Sequence, residues 1–212
     1  MKPSVQRFFT TVWDAFLPNN VVLVQALGLC PILAMGINLQ YGVTLSVCTI
    51  VTLVLTDLIF ALIQKYIAKQ LQAPAYVLLA SAFLFGAAVL VHVGISAEIY
   101  AHLYLFLPLM AVNTLYVYRC VIAPSVTPTL LLRLADSIGT AFGFSLVLCV
   151  ASALREMAIY GTLWGIPLGY EARFPEASHP FIGFVLLGFM AAALQWVKTL
   201  SHRKHSQEEV DV

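Results

Sequence analysis

The sequence predicts an all-α integral membrane protein of six transmembrane helices in an inverted 3+3 repeat, with the first and fourth helices broken. Three observations carry that expectation. Of 212 residues, 61% are apolar and 10% charged, with a mean hydropathy of +0.91; a soluble domain has about 45–50% apolar and about 25% charged residues. The apolar residues gather into six runs of the length a helix needs to cross a hydrocarbon core. The first and fourth runs are related: each carries a central proline, Pro31 and Pro108, and each precedes two further runs. Three crossings reverse the side on which the next triplet starts, so the two triplets run in opposite senses.

Along the chain, Phe8, Phe9, Val12, Trp13, Phe16 and Leu17 recur at helical spacing. Residues 1–18 are therefore expected to form a cytoplasmic amphipathic helix on the membrane surface. A cleaved signal is not expected, because Asp14 interrupts the apolar part and no small-residue cleavage site follows. The expected spans run from Val21 to Leu39, Val43 to Ile63, Ala75 to Ser96, Tyr100 to Tyr118, Leu134 to Leu154 and Pro180 to Val197. They make one membrane domain over residues 19–200, followed by a polar cytoplasmic tail, 201–212. Lys65 and Lys69, then Ala123-Pro124 to Arg133, mark connections; the longest one, Arg155 to His179, holds Gly161, Gly165, Pro167, Gly169 and Pro175.

Basic residues near span ends stay in the cytoplasm. With the N-terminus inside, Lys2, Arg7, Lys65, Lys69, Arg119, Arg133, Lys198, Arg203 and Lys204 lie inside and only Arg155 and Arg173 outside. That bias puts both termini in the cytoplasm. The net charge of +1 and the lack of a basic stripe argue against a nucleic-acid partner. Cys30, Cys48, Cys120 and Cys149 lie in or beside apolar runs, unlike a secreted disulfide framework. Phosphate loop, nucleophile elbow and zinc-protease motifs do not occur.

The candidate functional residues are the polar ones within the spans. In Gly28-Leu29-Cys30-Pro31 the proline disfavours helix at the cysteine, and the glycine eases unwinding just before it. Irregular backbone near the bilayer midplane must be buried in protein or line a cavity, so Cys30 is expected to project toward a protein partner or a cofactor. A kinked span with a filler cysteine is the plainer alternative. Asp57, about two turns inside the second span, is a candidate for a cation or proton path, or else a carboxylate that fixes helix packing. Asp136 is expected to pair with Arg133 three residues earlier, with an ion-path role as the alternative. Arg155 and Glu156 read as interface anchors, as do His92 and His102, which lack a second ligand at helical spacing. Gly139, Gly143 and Ser137 are expected to allow close helix packing.

Four ordered blocks, NNVVLVQALGLCPILA, LFLPLMAVN, LRLADSIGTAFGF and ALREMAIYGTLW, resemble the six-span membrane-subunit family of Rnf and Na-translocating Nqr complexes, nearest its Rnf E-type branch. The resemblance covers Asn19 to about Trp164 and implies an inverted repeat with broken first and fourth helices. It also implies a two-iron two-sulfur (2Fe-2S) cluster at the midplane, shared with a homologous A-type six-span subunit of opposite topology. Further subunits carrying flavin and iron-sulfur clusters would complete a ferredoxin:NAD oxidoreductase that moves Na+ or H+ across a bacterial inner membrane. Cys30 matches the family's first cluster cysteine. The second position departs: the family has Asn-Cys where this chain has Asn113-Thr114. That leaves a noncysteine or water ligand, Cys120 on a rearranged backbone, or a paralogue with altered redox function. Cys120 lies six residues on, roughly 9 Å along a helix and about 240° around it.

A reading from another class is a small inverted-repeat cation transporter or nonredox scaffold, because broken helices in corresponding positions are equally a transporter signature.

Overall fold

In lipid every backbone amide needs a partner within the protein, and the chain meets that demand almost entirely with helix. The computed structural model describes residues 2–16, 20–94, 97–104, 106–121, 130–167 and 178–208. Leu17 of the expected amphipathic segment, Ala123-Pro124, Gly169, Arg173 and Pro175 of the expected connections, and the last four tail residues lie outside the described residues.

After α1 (Lys2–Phe16) come two short helices, α2 (Val21–Gln25) and α3 (Leu29–Met35), and then the long α4 (Leu39–Ile63). Two single 3-10 turns, Gln64–Tyr66 and Lys69–Leu71, lead into α5 (Gln72–Gly94). The fourth expected span is divided into α6 (Ala97–Leu103), α7 (Phe106–Leu109), a 3-10 turn Met110–Val112 and α8 (Thr114–Val121). The long α9 (Leu130–Tyr160) and α10 (Pro180–Glu208) follow, separated by a hairpin of two-residue strands, β1 (Thr162–Leu163) and β2 (Ile166–Pro167). At its turn Trp164 and Gly165 both have positive φ, 59° and 76°, as a tight two-residue hairpin turn requires.

Asparagine marks three of the helix starts. Asn20 Oδ1 accepts from the Val22 and Leu23 N–H groups, Asn38 Oδ1 from that of Gln40, and Asn113 Oδ1 from that of Leu115. Each satisfies amides that the first helical turn leaves without a partner.

The break in the segment expected as the first span is not where proline alone places it. Ala26 adopts left-handed φ of 55° and Gly28 of 77°, and the Leu27 N–H turns back onto the Val21 carbonyl at 3.2 Å. Cys30 and Pro31 are the second and third residues of α3, where a missing N–H disrupts no helical bond. The expectation of nonhelical backbone at the cysteine is thus corrected: the unwound stretch precedes it. In the segment expected as the fourth span a break falls at Asn113, extended at φ −63°, ψ 142°.

Among the described residues, four stretches are long and apolar enough to cross a membrane: Leu39–Tyr66, Lys69–Gly94, Leu130–Tyr160 and Pro180–Thr199. The other two expected spans are divided into pieces too short to cross singly. The core lies between α4, α5, α8 and α9, where Leu45, Leu53, Phe60, Tyr76, Phe144 and Leu148 are buried. Helices α5 and α10 turn Leu90, Val93, Phe181 and Phe189 outward, a composition suited to lipid.

The amphipathic α1 does more than lie on a surface, since it packs along α9. A Cβ at Gly139 would lie 2.6 Å from the Val12 carbonyl oxygen and 2.8 Å from the Ala15 Cβ; at Gly143 one would meet the Phe16 carbonyl oxygen at 2.9 Å. The expected close packing at Gly139 and Gly143 is therefore against α1. Gly139→Leu is expected to destabilise the detergent-solubilised chain by about 1–3 kcal/mol through overpacking, whereas Gly86→Leu, with no atom within 4 Å of its Cβ position, leaves the thermal midpoint unchanged. Equal shifts in the two variants would contradict the contact.

Candidate functional site

The two breaks meet. Gly28 is the N-cap of α3 and has no side chain to satisfy that helix's start. Its own N–H donates to the Thr114 hydroxyl oxygen at 2.9 Å, across 86 residues of sequence. Phe144 of α9 closes the junction, 3.3 Å from where a Gly28 Cβ would stand. The Thr114 hydroxyl in turn donates to Asn113 Oδ1 at 3.3 Å, and the Asn113 amide donates to Met110 Sδ at 3.5 Å. Threonine thus bridges the two interruptions.

Beside this junction is a mainly apolar cavity of about 310 Å3, lined by Cys30, Pro31, Phe106, Met110, Asn113 and Thr114 among others. Cys30 is exposed there. The other thiols lie elsewhere: Cys48 is buried, Cys149 contacts the Ser46 hydroxyl at 3.5 Å, and Cys120 is buried with its Sγ donating to the Gln72 carbonyl at 3.6 Å. Helical rotation turns Cys120 toward α5, so it does not share the cavity with Cys30.

A second polar centre sits one to two turns from Thr114 along α8. Arg119, fully buried, donates from Nε to Asp57 Oδ2 at 2.8 Å, and its Nη2 lies 2.7 Å from the same oxygen. Its Nη1 pairs with Asp136 Oδ2, and its Nη2 reaches the Arg133 carbonyl at 3.1 Å. The Tyr76 hydroxyl donates to Asp57 Oδ1 at 2.8 Å. The expected Arg133–Asp136 pair is therefore corrected: Asp136 pairs with Arg119. The Arg133 side chain instead donates to Gln64 Oε1 at 2.6 Å and lies over the Phe60 ring, 5.7 Å from its centroid. A guanidinium arriving from another helix satisfies two carboxylates at once, which a neighbour three residues away on the same helix does not.

Arg155 and Glu156 are not interface anchors. Both are 1% exposed, and their partners are the ends of other helices and, for Glu156, the β1–β2 hairpin as well. His92 packs on Tyr100 and His102 on Tyr41, with ring centroids 4.6 and 5.0 Å apart. Sequence reasoning missed the inward roles of Arg119, Tyr76, Arg155 and Glu156. The signal available was the cost of ionisable groups inside apolar helices, which makes each a site candidate by default.

A model of the Rnf-Nqr subunit family, described as a membrane protein, matches residues 8–200. The chain belongs to this family. Similar proteins include the E subunit of the ion-translocating oxidoreductase complex of Shewanella loihica, 28% identical over 92% of this chain and 90% of that protein. The proteins of the same name from Shewanella piezotolerans and Pseudoalteromonas atlantica are 30% identical over 72% and 76% of this chain. Those two matches span 65% and 68% of the relatives' own lengths.

The donor set of this Rnf-Nqr chain limits the metal chemistry open to it. Iron-sulfur clusters are ordinarily held by four cysteine thiolates. Cys30, exposed at the cavity, fits as one such ligand. Thr114 does not fit as a second, because a neutral alcohol is a poor ligand for iron and this hydroxyl is held between the Gly28 N–H and Asn113 Oδ1. Among the described residues no group of three His, Cys, Asp or Glu side chains is placed to hold a metal ion.

The ion-pair centre yields a stability test. Arg119→Met leaves Asp57 buried beside an apolar side chain and is expected to destabilise the chain by about 3–5 kcal/mol. In Asp57→Leu/Arg119→Met the fully enclosed charge is gone, and part of the lost stability returns; the Asp136 carboxylate, 22% exposed, and the Tyr76 hydroxyl still lack their partners. Folded protein after detergent extraction, followed by size-exclusion chromatography, measures both; a double variant as poor as Arg119→Met contradicts the pairing.

Proposed function

We propose that this chain is a membrane subunit of an Rnf-type ion-translocating oxidoreductase complex and that it gives one thiolate, Cys30, to an iron-sulfur centre shared with a partner subunit. The observation that carries this reading is an exposed cysteine at the cavity where two helix breaks are bonded together, in a chain of this family. When bound, a 2Fe-2S cluster would supply one-electron transfer near the membrane midplane. This chain's part is to present the Cys30 sulfur, keep lipid and water from it with apolar walls, and hold both breaks fixed.

The architecture that goes with this reading is six crossings as an inverted repeat. Helices α2 and α3 together make the first crossing, and α6 to α8 make the fourth. In that arrangement Pro31 and Pro108 are each the third residue of a short helix, Pro31 just after its break and Pro108 shortly before its own. The distribution of basic residues supports cytoplasmic termini, and a bacterial inner membrane goes with the reading as an Rnf-type subunit. The partner would be a homologous six-span subunit of opposite topology, whose thiolates complete the site. Flavin- and iron-sulfur-bearing subunits would exchange electrons with it on the two membrane sides.

An ion path, in this reading, begins at Asp136, whose side chain is 22% exposed, and not at Asp57, which is enclosed between Arg119 and Tyr76. A freestanding cation transporter centred on Asp57 is less well supported, because both its carboxylate oxygens are occupied by protein donors.

Iron and acid-labile sulfide per intact purified complex test the ligand role. Cys30→Ser is expected to lower both and to abolish one paramagnetic signal; unchanged contents and spectrum would rule Cys30 out. Thr114→Cys is expected to alter the same signal, since it places a thiol at the cavity and frees the Gly28 N–H. An unaltered spectrum would mean that position 114 does not face the metal.

A further inference from the structure

The half-helix that carries Cys30 is gripped at both ends. Its start is fixed by the Gly28 N–H to Thr114 bond. Its far end is held by Arg155 of α9, whose Nη1 donates to the carbonyls of Leu33 at 2.9 Å and Ile32 at 3.5 Å. Nη2 of the same guanidinium donates to the carbonyls of Ser178 at 2.9 Å and His179 at 3.4 Å, just before α10.

Glu156, the next residue, grips the other side of the turn. Its Oε2 accepts the Leu39 N–H at 2.7 Å, at the start of α4, while Oε1 accepts from the Gly165 N–H at 3.0 Å and the Thr162 hydroxyl at 3.2 Å. Two adjacent residues of one helix thereby hold the C-terminal end of α3 and the N-terminal end of α4. Their signs match the partial charges of those ends, a cation at a helix C-terminus and an anion at an N-terminus.

A seven-residue helix does not hold itself together in isolation. Cys30 precedes Leu33 by three residues, about 4.5 Å along the axis, so a rotation or slide at the Leu33 carbonyl reaches the thiol within one turn. An interface anchor would leave its guanidinium in headgroups or water. Arg155 is instead 1% exposed and its forked donors meet two separate chain ends, a geometry that a lysine's single ammonium does not reproduce.

We propose that Arg155 is a positioning residue for Cys30: its fork sets the depth and rotation of α3 and so the direction in which the thiol enters the cavity, with Glu156 bracing the turn behind it. This rests on the reading of Cys30 as a metal ligand. The contact has an independent handle on α10, because a Cβ at Gly183 would lie 2.8 Å from Leu33 Cδ2 and 3.5 Å from Arg155 Nη1. A larger side chain there pushes on the clasp while leaving all its hydrogen-bonding groups in place.

The test uses the intact complex in native membranes, with signals normalised to assembled complex. In Arg155→Lys, the paramagnetic signal that Cys30→Ser abolishes is expected to shift in g-values and midpoint potential. After the iron has been removed from the assembled complex with a chelator, the rate of Cys30 alkylation by a membrane-permeant maleimide, read by mass spectrometry, is expected to change roughly tenfold, as suits the loss of a charge-assisted hydrogen bond, with Cys149 alkylation constant as the reference. Gly183→Val is expected to move both readouts as well, and it decides the matter if Arg155→Lys does not assemble. If Cys30→Ser removes the signal but the clasp variants keep wild-type spectrum, potential and alkylation rate, the positioning role is overturned. If Cys30→Ser leaves the spectrum intact, the ligand reading fails instead, and the alkylation rate alone then decides whether Arg155 orients the thiol.

Discussion

The hydrogen bond from the Gly28 N–H to the Thr114 hydroxyl is the constraint on which the rest of the arrangement depends. An interrupted helix inside a membrane exposes amides that lipid cannot satisfy. At the second interruption the side chain of Asn113 serves as its own cap, but Gly28 has no side chain, and its left-handed backbone suits glycine best. The acceptor has to come from elsewhere, and it comes from the other break. One bond therefore satisfies a backbone donor, brings α3 and α8 together, and places an exposed cysteine at the edge of the junction.

Buried charge is organised around that junction in two clasps. Arg119 lies on α8, the helix that Thr114 begins, and ties it to α4 and α9 through Asp57 and Asp136. Arg155 ties the far end of α3 to α9 and to the start of α10. The ion pairs of the Arg119 clasp add little net stability relative to well-packed apolar side chains, yet breaking such a pair, or taking the carbonyl partners from Arg155, strands a charge in a low-dielectric interior. The two clasps act as register pins: α8 cannot slide past α4, nor α3 past α9, without leaving a guanidinium unsatisfied. Both pins act on the helices that flank the breaks, where the backbone ladder is interrupted and cannot hold register by itself.

Much of this is legible in the sequence where the information is local. The membrane class follows from composition, the interruption of helix near Pro31 and Pro108 from those prolines, and the tight packing at Gly139 and Gly143 from small residues a turn apart. The partner of Gly139, α1, is not legible, because an amphipathic helix reads the same whether its apolar face meets lipid or protein. Spacing on one helix assigns Asp136 to Arg133, and the structure gives it to Arg119, which spacing cannot bring near. Arg155 and Glu156 have the composition of an interfacial pair; only the fold shows that two helix termini with complementary partial charge converge on them. Proline at position 31 signals a break correctly but not its side: a ring without an N–H fits the first turn of a new helix, and the left-handed residues before it end the old one.

Position 114 shows how backbone need and metal chemistry compete for one side chain. A cysteine there would be a strong ligand for iron as the thiolate, but as the neutral thiol a weaker acceptor for the Gly28 amide than a hydroxyl. With threonine the chain gains a firm bond between its two breaks and keeps one thiol, Cys30, free of any such duty. If two helix breaks must be held together inside a membrane, either a metal joined to both or a direct hydrogen bond between them can do it. Under the proposed function this subunit takes the second course for its own framework and leaves the remaining ligands to its partner, so its scaffold does not depend on the metal for its shape.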